Sequence, residues 1–594
     1  MSPPEYILDP RFQVTLLAAY DPKWPAPRII LPEEIPDFLA QYPAAETAAC
    51  SHNALFDLAI LGWRYGWVAG LLQDTMGMVR SLRNYRRNSL KAVVKELFGR
   101  EANKSTIGKV IGLDTAGIKQ AGLWPEYCSY ALNDVRECAL IYLKLLPEFP
   151  PEERLVMDLV LRATVVPRLR ANTTMLADHM QELHKQKMCL LREAGYDKAT
   201  LMSQRMFQEA LEDLGVEVEY KISPTGHQIP SFAKSDAFMS ELLEYNKSYD
   251  DDLNYAVQTL AAARLSHKST IEETRAKRFR DIALLPWGDG RLLPMPLRYG
   301  GAHTHRLSGE FKMNVQNLPR DKTKSKLRTA IIAPPGYKLV AADLAQIEAR
   351  IVAKLCGQTA LVEAFRRGAD VYAQFASIVF GRTVTKKDQP NERFIGKTAV
   401  LGLGYGCGWP RFHRMVVTSA RQYGIPLEGL FDERVAEVTV NTYRALFNFI
   451  PLAWRKLDGL LADNINAAVA TEPAKWPDFD TGPLIFRAAH IDLPNRMTLR
   501  YAMNDPTLYG AKILENVTQA LARIVIMQAA VRLARRGYRF ALQAHDELLF
   551  VVPEDEVDMA KSIITLEMTH PPKWMPGLPL AVEVGVGDNY GDCK

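Results

Sequence analysis

Two stretches of this chain read as short buried strands, and each runs up to a carboxylate. One is Leu339-Val340-Ala341-Ala342-Asp343. The other is Phe540-Ala541-Leu542-Gln543-Ala544-His545-Asp546-Glu547, and Leu548-Leu549-Phe550-Val551-Val552 leads away from it as a further apolar run. Two such runs about a tight polar centre predict a β-hairpin with His545 and Asp546 at its tip. A carboxylate that loses water costs free energy unless a cation compensates it. Asp after a strand is also a common turn or cap residue, so neither aspartate decides anything alone.

The same reading covers the remaining chain. Residues 1–148 look α/β, with a strand at 13–20. A helix opens at Ser51-His52-Asn53-Ala54-Leu55-Phe56-Asp57, with Asn or Ser as its cap. Another helix runs from about Trp124 to Leu146, and Tyr130 and Asp134, four apart, share one of its faces. From Pro150 the spacing of Leu155, Leu159, Val165, Leu169, Met175, Met180 and Leu183 is helical. Further helices are expected at 205–215 and 236–265, with a turn at 222–227 between them. Arg393, Lys397, Leu401 and Tyr405 repeat every four residues and predict a single helical stripe. Gly402, Gly404, Gly406 and Gly408 would thin that helix and its end so that another surface approaches. No Gly-Lys-Ser/Thr follows, which argues against a phosphate loop.

Composition narrows this only slightly. The chain has 594 residues, enough for three or four compact units. Its net charge of +5 comes from 73 basic and 68 acidic residues, too balanced to imply a nucleic-acid partner by itself. Local clusters say more. Residues 264–280 hold six Lys or Arg against two Glu. Lys268, Ser269 and Thr270 there suit sequence-independent phosphate contacts, although a solvated helix face fits equally well. Arg306, Asn314, Gln316 and Asn317 precede Arg320, and Lys322, Lys324, Lys326 and Arg328 then alternate as if along an extended segment. Amides reach minor-groove acceptors, and alternating cations track phosphates. Seven cysteines without Cys-x-x-Cys suggest neither disulfides nor zinc, and a reducing, cytoplasmic setting is expected. No secretory signal is visible, and no apolar run reads as long enough to span a bilayer.

Asp343 and Asp546 side by side on rigid strands would suit hard divalent ions such as magnesium. Two ions about 4 Å apart can activate an attacking oxygen and stabilise a leaving one. Arg393 and Lys397, one helical turn apart, suit a polyphosphate.

Two resemblances follow from these motifs. Asn53-x-x-Phe56-Asp57 and Tyr130-x-x-x-Asp134 resemble the second and third motifs of DnaQ-type 3′→5′ exonucleases. There the carboxylates hold two metals and the tyrosine orients water. That family's first motif, Asp-x-Glu, is absent from the 56 residues before Asp57. Proofreading is therefore expected to be weak or absent.

The second is stronger. Asp343…Gln346-Ile347-Glu348-x-Arg350, Arg393-x-x-x-Lys397…Tyr405-Gly406 and His545-Asp546-Glu547 resemble motifs A, B and C of family A DNA polymerases. Arg306, Asn314, Gln316, Asn317 and Gln519 extend the match in the right order. The stretches at 222–228, 268–270 and 582–585 resemble bacteriophage-encoded members. The resemblance implies that Asp343 and Asp546 hold two magnesium ions, which manganese could replace, with Glu547 supporting. Arg393 and Lys397 would bind the triphosphate, and Lys397 would protonate the departing pyrophosphate. Gln346, Leu401, Tyr405 and Tyr372 would line the nucleotide site, and Glu348 would exclude a 2′-hydroxyl. Arg306, Asn317, Gln519 and His545 would contact primer and template. Leu401 departs from the usual Phe or Tyr, and Tyr372 stands where bacterial enzymes commonly have His.

The implied architecture is α/β and α+β multidomain: a truncated ribonuclease-H-like domain followed by a right-hand polymerase. Its expected parts are an exonuclease-like domain (1–148), thumb (149–295), palm (296–352 and 506–594) and fingers (353–505). The implied activity is template-directed DNA synthesis in replication, with primer-template DNA and deoxynucleoside triphosphates as partners. A helicase or processivity factor would be a further partner, and the chain would act as a monomer. Repair synthesis, a single-subunit RNA polymerase, a silent DNA clamp and a nuclease are the alternatives.

Overall fold

The organising element is a sheet of four strands in the order Leu542–Ala544, Glu547–Pro553, Tyr337–Leu344, Val582–Gly587. It is taken from a computed structural model that describes the chain except residues 84–86, 102–106, 224, 235, 248–249, 289, 320–324, 466–473, 476–482, 503–504 and 594. All its pairings are antiparallel. Tyr337–Leu344 is an internal strand, and Leu339, Val340, Ala341 and Ala342 are all buried. Burial on both faces explains why it reads as a continuous apolar run and not an alternating one.

The predicted hairpin is present. Leu542 pairs with Leu549 and Ala544 with Glu547, leaving His545 and Asp546 as a two-residue tip. His545 takes the left-handed φ of 56° that such a tight turn needs. Asp343 lies opposite Glu547. The Leu344 N–H donates to the Asp546 carbonyl at 2.9 Å. Strand pairing therefore brings together two aspartates that lie far apart in sequence.

The helix Gly510–Arg535 packs against Pro151–Val165, Ile347–Leu355, Phe449–Leu460 and Val557–Thr569. It corrects one expectation: by length and composition it could cross a membrane. However, 78% of its apolar window lies inside the fold. A helix apolar all round is what the centre of a large core requires.

The chain forms two compact units. The first comprises Met1–Leu169, Pro294–Asn317 and Ala333–Lys594; the second comprises Arg170–Leu293 and Leu318–Ile332. The expected thumb range is thus divided, because Pro151–Val165 lies in the first unit. The single helical pattern expected across 155–183 is two helices, Pro151–Val165 and Thr173–Ala194, with the strand Leu169–Ala171 between them. In the second unit Thr173–Ala194 packs on Asp251–Lys268 and Ile271–Ala283. The expected 236–265 helix is likewise two, Ala237–Leu243 and Asp251–Lys268. Phe207, Phe232 and Phe238 centre a core there. Arg264, counted with the basic cluster, is buried in that core. Its guanidinium lies 4.1 Å from the Phe207 ring centroid and donates to the Leu201 and Ser203 carbonyls.

The N-terminal region holds two short sheets. Leu17–Ala19 pairs antiparallel with Arg28–Ile30, and Ala48–Ser51 pairs parallel with Leu71–Asp74. The strand expected at 13–20 is shortened to Leu17–Ala19. The helices Ala54–Tyr65 and Trp124–Leu145 carry the exonuclease-like motifs.

Candidate active site

At the hairpin tip Asp546 sits in a small charged cluster. Burial pushes its carboxyl up; Arg306 pulls it down, Glu348 and Asp343 push it up again, and it stands at about 7. Arg306 Nη2 lies 3.9 Å from Asp546 Oδ1. The same guanidinium donates to Glu348 Oε1. The Tyr405 hydroxyl donates to Glu348 Oε2 at 3.2 Å. Two acids thus share one arginine and Asp343 adds its charge to Asp546, an excess of negative charge that a divalent cation would relieve. Among the described residues no three His, Cys, Asp or Glu side chains form a closed cage. Magnesium does not need one, since one or two carboxylates with water and phosphate oxygens suffice. Asp343 and Asp546 therefore fit a metal shared with a polyphosphate.

Glu547 points to the other face, is buried, and accepts from the Tyr590 hydroxyl. It is placed to hold the tip in position. The exposed His545 brings Nε2 within 3.0 Å of Asn317 Oδ1. Asn314 Oδ1 accepts from the Gln316 N–H at 3.1 Å. Gln316 does not face outward as a DNA contact would. Its side chain is buried and donates to Gln543 Oε1 at 3.2 Å, which stiffens the hairpin instead. Gln519 lies on the Gly510–Arg535 helix and donates to Glu515 at 3.2 Å.

The Pro390–Gly402 helix carries Arg393, Lys397 and Leu401, with Lys397 and Leu401 exposed. The expected stripe does not continue as one helix to Tyr405. The chain tightens into a 3₁₀ turn at Leu403–Tyr405, and Gly406 then takes φ 77°. Two glycines explain how closely this element is packed. A side chain at Gly396 would collide with the Tyr372 carbonyl oxygen, and one at Gly402 would stand 2.5 Å from Met415 Cε.

Arg393 is held from two sides. Its Nε donates to Asp370 Oδ2 at 2.6 Å, and its guanidinium lies 5.5 Å from the Tyr372 ring centroid. Burial pushes the Tyr372 hydroxyl up to about 12. Tyr372 therefore serves as a platform under Arg393. Asp370 stands at the N-terminus of the helix Val371–Phe380. It caps that helix, through the Ala373 N–H at 3.1 Å. Gln346 has φ 51° and accepts from Arg350 Nη2 at 3.0 Å. Arg350 also donates to the carbonyls of Ala345 and Pro579, at 2.7 and 3.0 Å. This buried latch fixes the turn that leads from Asp343 to Glu348.

In the second unit Lys268 and Thr270 are exposed at the break between two helices. Lys268 Nζ reaches the Phe232 carbonyl at 3.3 Å, and the Ser269 carbonyl accepts from Lys187 at 3.2 Å. The alternation expected at 322–328 does not hold where it is described. Lys326 is exposed but Arg328 is buried, because residues 327–330 form a turn and not a strand. Pro224, Arg320, Lys322 and Lys324 lie outside the described residues.

The exonuclease-like motifs also converge. Asp57 accepts from the Ser51 hydroxyl. Burial raises its carboxyl, Ser51 lowers it, Asp74 and Asp134 raise it further, and it stands at about 6. Burial and a bond to Asp134 push the Tyr130 hydroxyl up. Asn53 sits at the helix start with φ 74° but makes no side-chain cap. Asp74, unmarked in the sequence, does that work. It accepts the N–H groups of Asn53, Ala54, Met76 and Gly77 at 2.9, 3.3, 3.1 and 3.0 Å. Its oxygens are taken up by backbone, which makes it a structural clamp.

A sheet that presents two aspartates, set with a helix bearing an arginine and a lysine one turn apart, defines the palm and fingers of a right-hand polymerase fold. Residues 168–423 match the model of DNA polymerase family A. The chain is 30% identical over 296 residues to a thermostable DNA polymerase I from Thermus filiformis, covering 49% of this chain and 31% of that one. It is 25% identical over 389 residues to a DNA polymerase of Bacillus phage SP02, covering 54% and 56%. The chain thus spans less than two thirds of these curated relatives. Its fold is similar to the solved POL domain of Pol1 from M. smegmatis, a complex with DNA primer-template and dNTP. The TM-score is 0.66 at 21% identity, covering 96% of this chain and 91% of that one.

Proposed function

We propose that this chain is a template-directed DNA polymerase that extends a primer 3′ end with deoxynucleoside triphosphates. The observation that carries this reading is the meeting of Asp343 and Asp546 across paired strands beside the Arg306–Glu348–Tyr405 cluster. Asp343 and Asp546 would hold two magnesium ions, and when bound these would supply Lewis-acid activation of the 3′-hydroxyl and charge stabilisation at the pyrophosphate. Arg393, aimed by Asp370 and Tyr372, would grip the triphosphate through two parallel hydrogen bonds. The exposed Lys397 would bind it one turn away and give its proton to the leaving group. Glu348, fixed by Arg306 and Tyr405, would close the space a 2′-hydroxyl needs. His545 and Asn317 would meet the primer terminus. Because these groups are already oriented, most of the acceleration comes from preorganised electrostatics.

Primer extension tests this directly. Wild-type protein should extend with deoxynucleotides far better than with ribonucleotides, and Asp343→Ala and Asp546→Ala should each abolish extension. Extension that survives both changes would refute the assignment. For the N-terminal region we infer weak or absent proofreading in this chain, since the 56 residues before Asp57 hold no Asp-x-Glu to join Asp57 and Asp134. Degradation of a single-stranded 3′ end, lost in Asp57→Ala, would overturn that inference.

A further inference from the structure

The N-terminal region holds an open cleft of about 570 Å³, a size typical of small-ligand sites. Its lining includes Phe12, Glu33, Arg64, Tyr65, Lys119 and Trp124. It is separate from the acids of the exonuclease-like motifs. Asp57 and Arg64 share the Ala54–Tyr65 helix seven residues apart, about 10 Å along its axis. Trp124 and Tyr130 share the next motif helix six residues apart, about 9 Å along its axis.

The chemistry of the lining is specific. Two cations line the cleft, and each rests on an aromatic ring. Arg64 lies 5.6 Å from the Phe12 centroid, and Lys119 Nζ lies 4.8 Å from that of Trp124. Arg64 is also steered by a bond to the Phe12 carbonyl at 3.1 Å. Both cations are exposed at the cleft. Rings alone would accept any flat apolar molecule, and cations alone would accept any anion. Together they select a flat ring that carries negative charge. Glu33 adds an acceptor suited to sugar hydroxyls or ring amino groups.

We propose that this cleft binds a nucleoside phosphate unit, with its base stacked on Trp124 and its phosphate between Arg64 and Lys119. Such a unit is offered by a free nucleotide or by a single DNA strand, and sequence-tolerant stacking with cation contacts suits either.

Photo-crosslinking distinguishes the sources and resolves the site. The probes are azido-dAMP and a single-stranded oligonucleotide containing iodouracil, with adducts mapped by peptide mass spectrometry. Adducts are expected on Tyr65 or Trp124, and the probe that gives them identifies the source. Combining Arg64→Ala and Lys119→Ala should cut this labelling about tenfold, the loss expected for charge-assisted contacts. Primer extension and adducts elsewhere should be unchanged. Absence of adducts on residues 61–70 and 115–124 with both probes, or labelling undiminished in the double variant, would overturn the proposal. Neither outcome depends on whether the chain polymerises DNA.

Discussion

At the scale of single residues, the site trades stability for chemistry. Asp546 stands at about 7 where an ordinary aspartate has 3.8. The folded protein therefore keeps a proton that the unfolded chain has already released, and stability falls as pH rises across that window. Asp546→Asn should abolish extension yet raise stability at pH 8 by on the order of 2 kcal/mol, with little gain at pH 4. Denaturant midpoints at the two pH values check this, and an equal gain at both would count against it. Leu401 is a second such residue. It lies exposed on the stripe proposed to face the nucleotide and has no hydroxyl to stand in for a missing 3′-hydroxyl. Leu401→Tyr should raise dideoxynucleotide use about tenfold relative to deoxynucleotide, the worth of one added hydrogen bond. Competitive single-nucleotide incorporation measures it.

At the scale of elements, the helix that carries Arg393 is set by what its glycines lack. Gly396→Ala would push against the Tyr372 carbonyl, whereas Gly459, in an exposed helix interior, has nothing within 4 Å. Gly396→Ala should cost about 1–3 kcal/mol from overpacking and raise the KM for the nucleotide several-fold. Gly459→Ala should leave kinetics alone and add about 1 kcal/mol through helix propensity. Thermal melts with steady-state kinetics separate the two. The stripe of Arg393, Lys397 and Leu401 was legible because period four is a local property. Its break before Tyr405 was not, because the 3₁₀ turn is imposed where Gly406 meets Ala511 and the Trp454 indole bonds the Gly404 carbonyl.

At the scale of the molecule, one buried knot joins distant segments of the first unit. Glu153 accepts from Arg523, from Tyr299, and from Asn495 at 2.8 Å. Burial pushes its carboxyl up, but the charge and hydrogen bonds of Arg523 outweigh this and, with Tyr299 and Asn495, hold it below the ordinary 4.5. A lowered acid adds stability above its unfolded value and loses it as pH falls through the folded one. Acid unfolding should therefore include the protonation of Glu153. Arg523→Met should cost about 3–5 kcal/mol by leaving a buried charge alone, and adding Glu153→Leu should recover much of it. A double-mutant cycle of denaturant midpoints decides between this and simple packing loss.

What the amino-acid order determined by itself was local. The apolar runs ending at Asp343 and Asp546, the hairpin tip, the stripe on one helix and the order of the motifs all follow from neighbour-to-neighbour periodicity. What only the tertiary structure decided was which polar groups have their hydrogen bonds met inside the protein. Gln316, Arg264 and Arg328 looked available and are buried, while Asp74 and Asp370 belong to no motif and are clamps. The difference is physical: a residue's spacing is set by its own segment, but its solvation is set by other segments, 23 residues away at Asp370 and 227 at Gln316.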